Sequence, residues 1–276
     1  MSAFVTKLLE ASERNRSLLC VGLDPDPALM PEVAVADFNR SIIEATQDLV
    51  CAYKPNLAFY EALGFEGWQA LRATLDAIPK DVPVIGDGKR GDIGNTAQAY
   101  ARALFEVWGF DAATVNPYMG MDTLQPYLAY HDRGVLVVCR TSNPGSADFQ
   151  SLEGSPASGG SSVPLYERVA AKAREANRHG NVGLVIGATQ PAELRRVREL
   201  CPDMPILIPG VGTQGGDLEA SVRNGVDSHG RLAIINASRQ VLYASRGRDF
   251  ADAARRQALA LRDAMRAALA SRPTRP

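Results

Sequence analysis

The stretch VPVIGDGKRGDIGNT, residues 82–96, decides how the chain is read. It opens as an apolar run without polar alternation, the pattern of a parallel strand buried on both faces. It then turns polar abruptly, as a strand does where it leaves a core. Asp87 and Lys89 are two residues apart, so on a strand both side chains point to the same side. Asp92 follows at the loop. An acid and an amine at the end of an apolar strand are out of place in a core, because buried charges are costly unless paired.

Outward from this strand one rhythm repeats. Strand-like runs lie at 18–24, 51–59, 82–90, 112–118, 134–142, 182–188, 205–211 and 232–238. Between them fall stretches with apolar spacing near 3.6, at 35–50, 64–78, 96–109, 166–180, 190–200 and 217–225. A long final helix is predicted over 249–270. Eight strand-helix units without a linker predict an α/β fold, a single-domain (β/α)8 TIM barrel with parallel strands over 1–276. An open doubly wound sheet is the main alternative. One segment breaks the rhythm. Residues 143–164, NPGSADFQSLEGSPASGGSSVP, are Gly/Ser/Pro-rich and long for a strand-to-helix loop. They read equally as a surface insertion or as a mobile cover over the active face.

Composition narrows the function. Apolar residues are 46% and charged residues 22%, ordinary for a globular chain. The net charge of −1 leaves no electrostatic footprint for nucleic acid or an anionic membrane. Any anionic ligand must be held by local groups. No run approaches the ~20 apolar residues of a membrane-spanning helix, and the N-terminal stretch lacks the apolar core of a signal peptide. Four cysteines form no CxxC pair, and three lie in or beside strand-like runs, which suits buried thiols in a reducing cytoplasm. His131, His179 and His229 lie away from strand C-termini, and no spacing matches a metal site. Neither a metal nor an organic cofactor is expected, which leaves Lys and Asp to carry the chemistry.

In such barrels the working residues sit at the C-terminal ends of strands. The first strand ends at Asp24 and the second carries Lys54; with Asp87, Lys89 and Asp92 they make an alternating acid and amine cluster. The alternative is a paired ionic network that merely fills the barrel mouth. The seventh and eighth strands run into PGVGTQGGD and NASRQ. Glycines there let backbone N–H groups approach an anion, Gln214 adds an amide and Arg239 a planar fork for phosphate oxygens. Ser142, closing the fifth strand, is either a ligand contact or an ordinary turn serine.

The run Asp87-Gly-Lys89-Arg-Gly-Asp92-Ile93 resembles the DxKxxDI signature of orotidine 5′-phosphate decarboxylases. GLDPDP, YKPN, NT at 95–96, TSNPG, PGVGTQGGD and NASR follow in the matching order over nearly the whole chain. The wording is similar to the longer-chain branch of that family. The resemblance implies loss of CO₂ from C6 of orotidine 5′-phosphate, giving uridine 5′-phosphate. It implies a catalytic network of Lys54, Asp87, Lys89 and Asp92, with Lys89 as proton donor. Asp24 matches the ribose contact, Ser142 a pyrimidine contact, and Gln214 and Arg239 phosphate ligands; Pro209 opens the phosphate loop, and Ser238 stands beside Arg239. Asp92, Ile93 and Thr96 match positions that reach a neighbouring subunit's site, so a homodimer with shared active sites is implied. Gly94 and Ser238 depart from the family's usual proline and glycine. Three rivals compete. Magnesium-dependent sugar-phosphate enzymes of the same barrel group carry an acid where this chain has Lys54. A Schiff-base aldolase needs a neutral amine, which flanking carboxylates disfavour. A catalytically silent barrel would bind nucleotide without turnover.

Overall fold

The apolar runs form eight parallel strands: β1 Leu19–Leu23, β2 Ala52–Pro55, β3 Ile85–Arg90, β4 Ala112–Val115, β5 Gly134–Arg140, β6 Val182–Ile186, β7 Ile206–Pro209 and β8 Ala233–Ala237. The computed structural model describes residues 1–155, 161–212 and 215–272. Neighbouring strands pair in the order β2-β1-β8-β7-β6-β5-β4-β3. The two ends of that row meet through isolated bridges, Tyr53 to Val84 and Asn56 to Asp87, so the sheet curls into a nearly closed barrel. Pro55 and Pro83 lack the N–H groups a full ladder would need at this seam. The predicted barrel, not the open sheet, is what forms.

Helices flank the strands where the 3.6-residue spacing placed them, including Val35–Thr46, Gly64–Ala77, Gly94–Arg102, Leu165–Ala176, Pro191–Leu200, Leu218–Gly225 and Phe250–Ala270. Two boundaries differ from expectation. The run at 51–59 stops as a strand at Pro55, because Asn56 caps a short helix Leu57–Ala62; its Oδ1 accepts the Ala58 N–H at 3.2 Å. The helix predicted over 96–109 ends in a π-helical turn, Ala103–Val107. Among the described residues no helix is long and apolar enough to cross a membrane.

The barrel interior is layered. Each strand sends one residue into a lower apolar layer: Cys20, Ala52, Ile85, Ala112, Leu136, Val185, Leu207 and Ile234. Two residues further along, about 7 Å up the strand, several of the same strands switch to polar groups: Lys54, Asp87, Thr114 and Asn236. The alternation that keeps side chains on one face therefore places charges directly above an apolar floor.

That floor is sealed from below by a helix the sequence reading left out, Ala3–Asn15. Ser2 caps it, and Phe4, Val5 and Leu8 pack against the lower layer. Phe4 comes so close to β5 that a Cβ at Gly134 would lie 2.3 Å from its ring, which explains a glycine there. Phe4→Ala is expected to destabilise the fold by about 3 kcal/mol through the cavity left at the barrel bottom. Urea unfolding measures it, with activity of the folded fraction at 25 °C unchanged.

The insertion at 143–164 is partly described. It contains a turn Pro144–Ser146, a short helix Ala147–Gln150 and an antiparallel ribbon of Glu153–Gly154 with Val163–Pro164; residues 156–160 lie outside the described residues. Its first half is tied to the end of β5. The buried Arg140 guanidinium donates to Ser146 Oγ, to Gln150 Oε1 at 3.4 Å and to Gln190 Oε1 at 3.2 Å. Gln150 Oε1 also accepts the Thr141 N–H at 2.8 Å.

Candidate active site

At the C-terminal mouth of the barrel lies a cavity of about 620 Å³, within the range of small-molecule sites. Asp24, Lys54, Asp87, Lys89, Ser142, Pro209, Ser238 and Arg239 all line it. Eight of the residues singled out in the sequence, spread over more than 200 positions, thus meet in one place. Ile93 and Thr96 are exposed, and Asp92 is half-buried with its carboxylate accepting the Ile93 N–H at 2.8 Å; none of the three lines the cavity of its own chain. Gln214 lies outside the described residues.

Asp87 is the centre of the arrangement. Its Oδ2 accepts from Lys54 Nζ at 2.7 Å, and its Oδ1 accepts from Lys89 Nζ at 2.7 Å and from Thr114 Oγ1 at 2.9 Å. Lys54 also faces Asp24 Oδ1 at 4.0 Å. Lys54 and Asp87 are only 3% and 7% exposed, so their pairing is not screened by water. Burial alone would raise the Asp87 carboxyl; the ammonium groups of Lys54 and Lys89 outweigh it and hold Asp87 well below the usual carboxylate range. Burial alone would lower Lys54; the carboxylates of Asp24 and Asp87 outweigh it and hold Lys54 above the usual lysine range. Both groups are therefore ionised at neutral pH.

Local backbone aims these groups. Between Gly86 and Arg90 the register of β3 on β4 shifts, so the strand bulges where it carries Lys89. Lys89 sits at φ +43°, a conformation side chains rarely adopt. Simple alternation predicted that Asp87 and Lys89 share a side. They do meet, but through this bulge. Arg90 anchors the far side of it, bonded to Glu61 and 5.3 Å over the Tyr100 ring.

The mouth also carries acceptors without hydrogen-bond partners among the described residues. Asp24 Oδ1 and Asn236 Oδ1 are buried and make no hydrogen bond among the described residues. Beside them the loop after β7 uses Gly210, Gly212 and Gly215 at φ +96°, +80° and +81°, which opens the backbone where an anion would approach. Tyr243 braces the other rim: its hydroxyl donates to the Asp24 carbonyl at 2.7 Å and accepts the Asp26 N–H at 2.7 Å.

Thr114, Asn236 and Tyr243 escaped the sequence reading. Asn236 was findable, since it lies two residues before Ser238 on an inward-facing strand side. Thr114 was not, because a threonine in a strand is unremarkable. The cysteines are buried, and burial pushes all four thiols up, Cys51 to about 12 and Cys201 to about 11, so none is a ready nucleophile. His131 and His179 stack on each other at 3.6 Å and line a different cavity.

Comparison with known proteins agrees with this fold. A profile of the family "Orotidine 5'-phosphate decarboxylase / HUMPS family" matches residues 17–255. The orotidine 5′-phosphate decarboxylase of Dehalococcoides mccartyi is 53% identical over 263 residues, covering 95% of this chain and 97% of that one. This chain belongs to the orotidine 5′-phosphate decarboxylase family. Its relative of the same name in Roseiflexus sp. is 52% identical over 268 residues, covering 95% of this chain and 96% of that one. The solved Leishmania donovani OMP decarboxylase superposes with a TM-score of 0.85 at 41% identity, covering 99% of this chain and 100% of that one. The barrel is thus the fold this chain shares with the family's solved structures.

Proposed function

We propose that this chain decarboxylates orotidine 5′-phosphate to uridine 5′-phosphate, a step of pyrimidine biosynthesis, without metal or organic cofactor. The observation that carries the reading is Asp87 held between the ammonium groups of Lys54 and Lys89 on the floor of a nucleotide-sized cavity. Arg239, Gln214 and the glycine loop opened by Pro209 take the phosphate. Asp24, whose Oδ1 is an open acceptor, takes a ribose hydroxyl. Ser142 and Ser238 complete the binding surface. Remote binding of this kind can be used on the transition state.

The reaction breaks the bond between C6 and the carboxylate carbon, and the electron pair stays on C6. Lys89 puts positive charge where that pair develops and then transfers an Nζ proton to C6. Preorganised charge of this kind is the largest contribution; repulsion between Asp87 and the substrate carboxylate ranks below it. The ammonium groups of Lys54 and Lys89 against the two carboxylate oxygens of Asp87 disfavour a divalent cation there by like-charge repulsion. Lys54 is held in its protonated form by the carboxylates of Asp24 and Asp87, which disfavours it as a Schiff-base amine. The family relationship and the intact Asp87-Lys89 pair count against a silent barrel.

The working unit in this reading is a homodimer. Asp92, Ile93 and Thr96 stand at the rim outside their own cavity, and Ile93 is 58% exposed, which fits a role in the partner's site. Four buried, unpaired cysteines fit a reducing cytoplasm. The test mixes inactive Lys89→Ala and Asp92→Ala proteins with a chelator present. Random re-pairing under two-fold symmetry restores about one quarter of wild-type turnover, followed as loss of ultraviolet absorbance. No restoration sinks the shared site, and dependence on added magnesium sinks the metal-free reading.

A further inference from the structure

We propose that Thr114 is a positioning residue of the reaction, setting the reach of Lys89 by tying its backbone to Asp87. This rests on the reading of Lys89 as proton donor. Thr114 lies on β4 and is fully buried. Its hydroxyl does two things at once. It donates to Asp87 Oδ1 at 2.9 Å and accepts the Lys89 backbone N–H at 2.9 Å. Lys89 Nζ returns to the same Asp87 oxygen at 2.7 Å. A ring therefore closes from the Lys89 amide through Thr114 and Asp87 to the Lys89 ammonium.

The ring answers a problem set by the backbone. Lys89 sits at φ +43° on a bulged strand, and its side chain is 48% exposed. Such a conformation persists only where its surroundings hold it. A lysine side chain turns about four single bonds, so an ammonium held at its tip alone can swing. Thr114 fixes the root of the side chain and the carboxylate at its tip with one hydroxyl, which accepts from the one and donates its proton to the other. Without that hydroxyl the Lys89 amide loses its acceptor, and the ammonium loses its fixed distance to the reacting carbon. Asp24, Pro209 and Arg239, the groups assigned to ribose and phosphate, lie at or just beyond the ends of β1, β7 and β8 and are untouched.

The effect belongs in kcat, not in KM. Thr114→Val keeps the volume and removes the hydroxyl; a misplacement of about 1 Å costs on the order of 10²-fold in rate, and a loss of about 10- to 100-fold in kcat is expected. KM for orotidine 5′-phosphate and the affinity for uridine 5′-phosphate by calorimetry stay within about threefold. Thr114→Ser, which restores the hydroxyl, returns kcat to within about threefold of wild type. Thr114→Ala is read beside valine in case the branched methyl misfits, each checked for folding by circular dichroism. Unchanged kcat in folded valine or alanine variants, a loss that falls in KM, or failure of serine to restore turnover overturns the proposal. Lys89→Ala runs in parallel. Its collapse beside an active Thr114→Val defeats Thr114 alone, whereas an active Lys89→Ala defeats the proton-donor reading and this proposal with it.

Discussion

Lys89→Ala loses at least about 10³-fold in kcat, since it removes both the proton donor, a contribution on the order of 10²–10⁴, and a charge aimed at the developing carbanion. The loss is in turnover and not in folding. Lys89 is the half-exposed member of the cluster, and without it Asp87 keeps its bonds to Lys54 and Thr114. Uridine 5′-phosphate, which has no carboxylate to meet Asp87, is expected to bind the variant within a few-fold of wild type. Absorbance-monitored turnover and calorimetry with uridine 5′-phosphate separate the two. A variant that keeps a tenth of wild-type kcat would remove Lys89 from the chemistry.

Lys54→Met acts the other way, on the frame. Methionine matches the shape of the lysine stem and removes the charge. Asp87 and Asp24 are then left beside an apolar group, and breaking a buried pair by removing one partner costs about 3–5 kcal/mol. For a chain of this length that lowers Tm by roughly 10 °C. The pH dependence follows from the directions of the two shifts. Asp87 is held below its unfolded value of about 3.9, so its contribution is complete above that pH and fades as pH falls through the depressed value. Lys54 is held above its unfolded value of about 10.4, so its contribution is complete below that pH and fades as pH rises beyond it. The stability gap between wild type and variant is therefore widest between about pH 4 and pH 10.5 and closes on both sides. Urea midpoints of both proteins taken below, within and above that range measure it, and a gap that stays the same on both sides of the window would mean that Lys54 stabilises by packing alone.

The sequence by itself determined the barrel and the identity of its charged groups. Buried parallel strands must be apolar on both faces, so eight such runs were visible without any contact information. Polar residues at strand ends were conspicuous for the same reason: Asp24, Lys54 and Asp87 each follow an apolar run. Tertiary structure decided the rest. It decided that Phe4 and its helix close the barrel floor, because an amphipathic helix does not say which surface it will cover. It decided that Asp87 and Lys89 meet through a bulge at φ +43°, because register against β4 is a property of two strands and not of one. It decided that Thr114 and Tyr243 belong to the mouth, because a threonine and a tyrosine acquire meaning only from what stands 3 Å away. Local sequence records where a charge cannot be left unpaired. Which partner satisfies it is settled only when distant strands are brought side by side.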